Sequence, residues 1–162
     1  MISAVLSSTD PVLQRLMTGT DGPAKPHRSR GRSASVAIRS RRVAIVEDEL
    51  LVAWTLEALL EDAGHEVIGV FANGEDAVAG LADQDLDVVC MDINLGKGID
   101  GIQTASQLKS KQAPKIIFIT AYADPTTAKR ALEAAPGAII LSKPVSAATL
   151  HDAIERSVVS TN

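Results

Sequence analysis

From residue 43 onward, short apolar runs take turns with stretches of helical periodicity. VAIV (43–46) is a β-branched run of strand length. LLVAWTLEALLEDAG (50–64) follows it, with Leu51, Thr55, Leu56, Leu59 and Leu60 recurring at helical spacing. Gly64 suits the C′ stop of that helix, because it takes the left-handed conformation without a Cβ clash. HEVIGVFA (65–72) reads as a strand, and Asn73-Gly74 leads into a helix over 74–82. LDVVCM (86–91) predicts a strand, GIQTASQLKSK (101–111) a helix and KIIFIT (115–120) a further strand. PTTAKRALEAA (125–135) predicts a helix with Pro125 in its first turn, and GAIILS (137–142) a strand. Ser146 is placed to cap a last helix running to about Val158.

Five strands alternating with five helices in about 120 residues describe an α/β domain. Right-handed crossovers then give a doubly wound, five-stranded parallel sheet covered on both faces. Strands buried on both faces read as unbroken apolar runs, and VAIV, VVCM, IIFI and AIIL do so. Aromatic residues make up only 2 % of the chain, so Val, Ile, Leu and Ala must supply the core. There is no internal repeat.

Open parallel sheets collect functional groups beyond the carboxyl ends of their strands. Strand 1 is followed by Glu47, Asp48 and Glu49, and strand 3 by Asp92 and Asn94. Strand 4 ends in Thr120, strand 5 leads to Lys143, and strand 2 ends in Phe71-Ala72 with no chemistry to offer. Carboxylates crowded at one rim repel one another, and their pKa values rise unless a cation sits among them. A hard divalent ion such as Mg2+, or Mn2+ in its place, takes one or two carboxylates together with a phosphate oxygen. Lys143 is a point charge able to hold a phosphoryl oxygen or to pair with Asp92, and Thr120 adds a hydroxyl donor. With backbone N–H groups these make a cradle for a transferring phosphoryl group, in which Asp92 is the best-placed nucleophile. Each residue alone also has an ordinary reading: a turn Asp, an acidic helix start, a capping Thr, a loop Lys. The joint pattern over four strands favours the chemical one.

Charge sets the amino-terminal part of the chain apart. Residues 1–42 carry eight Lys and Arg against two Asp, whereas 43–162 carry eight against eighteen acids. GTDGPAKPHRSRGRSASVAIRSRR (19–42) is rich in Gly, Pro, Ser and Arg, a composition that cannot bury enough apolar surface to order itself. Ahead of it, Asp10-Pro11 with Val12, Leu13, Leu16 and Met17 predicts a short helix over 11–18. The expected organisation is a basic, largely disordered extension over 1–40 and a folded domain over 41–159. No apolar stretch approaches the roughly 20 residues of a membrane span. The start, MISAVLSSTD, lacks the basic n-region of a secretory signal. The single Cys90 lies inside an apolar run and reads as a small core residue; a cytoplasmic protein is the expectation.

Over 41–159 the chain resembles the receiver domain (CheY-like) of two-component response regulators. IVEDE matches the acidic cluster of that family, MDIN its phosphoacceptor Asp and the residue two beyond, FITA its switch Thr, and SKP its Lys-Pro. The resemblance implies a flavodoxin-like strand order 2-1-3-4-5. It implies phosphorylation of Asp92 by a sensor histidine kinase or a histidine phosphotransfer protein. Mg2+ would be held by Asp48, Asp92 and the backbone carbonyl of Asn94, and by Glu47 through a water. The backbone N–H groups of Asn94 and Ala121, with Thr120 and Lys143, would hold the phosphoryl oxygens, and the Lys143–Pro144 peptide would be cis. The sequence departs from the family pattern in four places. Glu47 stands where Asp is common, and its longer arm is tolerated because it acts through water. NLGKGIDG is one residue longer than the usual loop and lacks its Pro. Ile140 stands where many relatives carry a Tyr or Phe that turns inward on activation. Tyr122 cannot fill that place, but is positioned to shield the phosphoryl group from water.

Three residues follow Val159, so the expected output is a contact with a downstream protein, a phosphorelay or the arm, and not an attached effector domain. Apart from gaining and losing its own phosphoryl group, the chain is not expected to be an enzyme. Haloacid-dehalogenase-type phosphatases use similar groups but place the nucleophile after the first strand in a D-x-D pattern. Here strand 1 ends in EDE, and DIN lacks the second acid. A nucleic-acid binder would use the basic arm to neutralise phosphates. That arm has no folded reading element and no aromatic residue to stack on bases. A third reading lays the arm on the acidic domain. The identity of the downstream partner, and whether two copies pair as a homodimer, stay open.

Overall fold

The computed structural model describes residues 39–108, 113–121 and 124–159. The expected helix over 11–18, the basic extension up to residue 38 and Tyr122 lie outside the described residues. Five parallel strands form one sheet: β1 (Arg42–Val46), β2 (Glu66–Phe71), β3 (Val88–Met91), β4 (Lys115–Thr120) and β5 (Ile139–Ser142). Their spatial order is β2-β1-β3-β4-β5, the order the family resemblance implied. Helices α1 (Leu50–Asp62), α2 (Gly74–Leu81), α3 (Gly101–Gln107), α4 (Pro125–Ala134) and α5 (Ala147–Val159) alternate with the strands. Winding runs one way from β1 to β2 and the other way from β1 to β3, which opens a crevice at the carboxyl ends of β1 and β3.

Successive side chains of the inner strands serve two cores. Ala44, Val46, Val89, Met91, Ile116 and Phe118 pack with Ala77 and Leu81 of α2, Ile102 of α3 and Ala131 of α4. Val43, Ile45, Val88, Cys90, Ile117 and Ile119 pack with Leu56 and Leu60 of α1 and with Leu150, Ala153 and Ile154 of α5. Every residue of β3 is buried, so the strand that carries Asp92 has no solvent-facing side on which to flex. Each buried Val, Leu, Ile, Phe or Met side chain among them stabilises the fold by about 1.5–3 kcal/mol of burial, which fixes strand register before any polar contact is counted.

Two expectations are corrected. The run AIIL does not mark a strand buried on both faces: β5 is an edge strand, and Ile139 and Ile140 are half-buried. An apolar run records hydrophobicity but not sheet position, and an edge strand has a neighbour on one side only. α3 is shorter than 101–111, ending at Gln107. Leu108 is extended (φ −61°, ψ 115°) and packs against the core under α3 and α4 instead of continuing the helix. Among the described residues no helix is long and apolar enough to cross a membrane.

Helix ends follow the sequence closely. Gly64 (φ +84°) donates its N–H to Glu61 O, and the His65 N–H reaches Leu60 O, the two bonds of a Schellman stop. Side-chain oxygens of Asn73, Asp100, Asp124 and Ser146 accept first-turn N–H groups of α2 to α5, each worth about 1 kcal/mol.

Away from the carboxyl rim, His65 is only 5 % exposed, and its Nδ1 accepts the Arg41 N–H at 3.3 Å. The ring is therefore neutral, with its proton on Nε2. The His151 ring stacks on it at 6.2 Å. Burial holds the His65 pKa below the usual 6.5; His151 and Arg41 push it the same way, against the opposing charge of Glu155. The unfolded chain accordingly takes up the proton first, so stability is retained above about pH 6.5 and falls as pH drops below it. Between about pH 7.5 and about pH 5.5 the wild-type melting temperature is expected to fall further than that of His65→Gln. Equal falls in the two thermal melts would show that His65 contributes nothing to acid sensitivity.

Candidate functional site

The carboxyl ends of four strands bring Glu47, Asp48, Asp92, Thr120 and Lys143 together. Backbone hydrogen bonds carry the strand ladder past the strand ends and root each group. Glu47 N–H donates to Phe71 O (2.9 Å), Asp92 N–H to Val46 O (2.9 Å) and Lys143 N–H to Thr120 O (2.8 Å). Asp92 is 6 % exposed, Glu47 2 %, and Thr120 is fully buried, whereas Asp48 is open to solvent.

Lys143 Nζ lies between the two buried acids. It donates to Asp92 Oδ2 at 2.7 Å and to Glu47 Oε1 at 3.0 Å. Glu47 Oε2 is also 2.7 Å away, as a charge contact off the hydrogen-bond direction. The exposed Glu49 carboxylate stands farther out, with Oε1 4.0 Å from Nζ. Burial pushes the Glu47 carboxyl up; the hydrogen bond and charge of Lys143 oppose this, and the negative charge of Asp92 adds to it. Burial works to lower the Lys143 ammonium, but hydrogen bonds and charges from Asp92 and Glu47 outweigh it and leave the pKa raised. Lys143 is therefore fully cationic at neutral pH.

Glu47, Asp48 and Asp92 each present a carboxylate oxygen within 4.8 Å of the others. Three hard oxygen donors at that spacing fit a divalent cation of the Mg2+ type, and Asp48 faces the solvent from which an ion arrives. Asn94 donates its N–H to Asp92 Oδ1 at 3.2 Å and holds its side chain outward. Ala121 is exposed immediately past β4, and Ile140 packs half-buried in β5 against the core under α2, α3 and α4. The Lys143–Pro144 peptide is cis.

One close approach is absent from the sequence reading. A Cβ at Gly101 would lie 2.0 Å from Asp92 O and 3.0 Å from Ile93 Cα, and the Gly101 N–H donates to Ile93 O at 2.9 Å. The first residue of α3 thus rests directly on the backbone of Asp92. The Asp100-Gly101 pair signals a helix start in the sequence, but not what that start presses against.

Residues 43–155 match the sequence profile of the response regulator receiver domain. The chain belongs to that family. Receiver domains are phosphoacceptor modules of two-component signalling that take phosphoryl groups from histidine kinases or phosphotransfer proteins and bind Mg2+ at an acidic pocket. This receiver is 36 % identical over 118 residues to the transcriptional regulatory protein PdtaR of Mycobacterium tuberculosis, covering 73 % of this chain and 57 % of PdtaR. It is 38 % identical over 81 residues to the phyllosphere-induced regulator PhyR of Methylorubrum extorquens, covering 49 % of this chain and 30 % of PhyR. The receiver thus spans little more than half the length of PdtaR, and less of PhyR. Among solved structures, the signal receiver domain of a modulated diguanylate cyclase from Desulfovibrio desulfuricans is 42 % identical with a TM-score of 0.68. That match covers 74 % of this chain and 94 % of the other. The receiver domain of the sensor histidine kinase PA1611 from Pseudomonas aeruginosa, solved with magnesium in its active-site cleft, gives a TM-score of 0.66 at 27 % identity. It covers 75 % of this chain and 99 % of that domain.

Proposed function

We propose that Asp92 is the phosphoacceptor, and that the receiver signals by a phosphorylation-dependent contact with a downstream protein or by passing the phosphoryl group on. The observation that carries this reading is the 2.7 Å contact of Lys143 Nζ with Asp92 Oδ2 at a rim shared with two more acids. An oxygen of the Asp92 carboxylate attacks phosphorus in line with the leaving group, the bond from phosphorus to the donor breaks, and the donor leaves with the bonding pair. Lys143 moves its hydrogen bond from the carboxylate to a phosphoryl oxygen, while Thr120 and the N–H groups of Asn94 and Ala121 take the others. Glu47 (through a water), Asp48, Asp92 and the Asn94 carbonyl would hold Mg2+, which neutralises charge on the phosphoryl oxygens.

A protein donor fits the surroundings. Leu50, Leu51 and Trp54 of α1 are 59, 74 and 56 % exposed. Leu51 joins Val52, Pro144 and Val145 in an apolar groove that reaches Lys143. A donor bearing phosphohistidine must come within bonding distance of Asp92, and in doing so it covers this surface. Such donors draw on ATP, which places the exchange in the cytoplasm. Incubation with acetyl phosphate and Mg2+ is expected to give a single phosphoryl adduct by intact mass spectrometry, lost when EDTA is added beforehand. Several adducts, or one insensitive to EDTA, would count against the reading.

A further inference from the structure

The acidic rim is bordered by the loop after β3, and the second residue of α2 is built into that loop. Glu75 Oε1 accepts the Ile99 N–H at 3.1 Å. The chain passes so close that a Cβ at Gly98 would lie 2.4 and 2.5 Å from the two Glu75 carboxylate oxygens. Gly98 manages this with a left-handed backbone (φ +85°), as does Gly96 (φ +58°). Gly96 in turn lies against the rim, since a Cβ there would come 2.7 Å from Asp48 Oδ2. Past Ile99 the loop is secured differently: Asp100 shares a capping box with Gln103 and an ion pair with Arg130 at 3.5 Å. An acid in the first turn of a helix answers the macrodipole on its own. Glu75 does more, because its carboxylate spans from α2 to the backbone next to a prospective cation ligand.

We infer that Glu75 is a positioning residue for the cation site. It holds the Gly96–Ile99 backbone against Asp48 and so keeps that exposed carboxylate aimed at the ion. This rests on the reading of Glu47, Asp48 and Asp92 as the Mg2+ ligands. Exposed Asp48 depends on its surroundings for orientation, whereas buried Glu47 and Asp92 are already fixed by Lys143. The longer loop fits the role: its two left-handed glycines let the backbone reach both Glu75 and Asp48.

Calorimetric Mg2+ titration of the full chain tests this with wild type, Glu75→Ala, Glu75→Gln and Asp48→Ala. Glu75→Ala is expected to weaken binding about threefold to tenfold, the scale of one ordinary exposed hydrogen bond. Glu75→Gln retains an oxygen acceptor for Ile99 N–H and is expected to stay within about twofold of wild type. Amide exchange at Gly96 to Ile99 should accelerate in the Ala variant only, with both variants folded in EDTA and melting within about 5 °C of wild type. Equal weakening by Ala and Gln would assign the effect to the Glu75 charge and overturn positioning. Wild-type affinity in Glu75→Ala, with binding still lost in Asp48→Ala, would overturn the inference and leave the site intact. Absence of binding in wild type, or its survival in Asp48→Ala, would instead overturn the site reading.

Discussion

Asp92→Asn is expected to abolish the phosphoryl adduct while leaving the domain folded. The amide matches the carboxylate in shape and keeps a carbonyl oxygen for the Lys143 ammonium, now 2.7 Å from Asp92 Oδ2. It has no anionic oxygen with which to attack phosphorus. Lys143 is not stranded as a buried charge, because Glu47 stays within 3.0 Å of Nζ. The costly outcome for buried ion pairs, a lone charge with no partner, is therefore avoided. One negative charge also leaves a crowded rim, and its loss removes part of the repulsion that helps to raise the Glu47 carboxyl. Thermal melting without divalent ions should consequently match wild type or exceed it. Intact mass spectrometry after acetyl phosphate treatment is the check. A persisting adduct would move the nucleophile to another acid, with the exposed Asp48 next in line.

Gly101→Ala is expected to destabilise the domain by about 3 kcal/mol or more, a fall in melting temperature of roughly 10 °C. The new methyl would meet Asp92 O at 2.0 Å, Asp92 C at 2.9 Å and Ile93 Cα at 3.0 Å, all backbone atoms in a fully buried stretch. No side chain can swing away, so either α3 lifts and breaks the Gly101–Ile93 hydrogen bond or the Asp92 backbone moves. Both displace Asp92, the proposed nucleophile, from Lys143, and phosphorylation of the folded fraction should slow as well. Gly64→Ala is the natural comparison, with nothing within 4 Å of its Cβ and only the left-handed φ of +84° to resist it. That variant should lose about 1–2 kcal/mol and keep its rate of phosphorylation. If Gly101→Ala melts like wild type, the contact with Asp92 is looser than the geometry indicates.

The fold was legible because its information is local. VVCM and IIFI are unbroken apolar runs since both of their faces are covered, and the turn residues between elements each cap or stop a helix. The polar groups of the site were legible for a related reason: in a parallel sheet, the residue after each strand lies at the same edge. What the sequence does not display is contact between distant segments. His65 and His151 meet only once α5 packs on the sheet, and Glu75 meets Ile99 only when α2 lies beside the loop after β3. Gly101 is similar, since its need to be glycine arises from Asp92 pressing on it and not from its own φ. AIIL misled because a run of four apolar residues cannot distinguish the edge of a sheet from its centre.

Cys90, the single cysteine, sits in β3 two residues before Asp92 and is wholly buried. Burial pushes its thiol up to about 12, so at neutral pH roughly one in 10^5 is ionised. The thiolate is the form that attacks peroxides and disulfides. The strand leading to Asp92 therefore keeps its sulfur as a buried thiol at neutral pH, and the phosphoryl transfer proposed at Asp92 would run beside a group that oxidants do not reach.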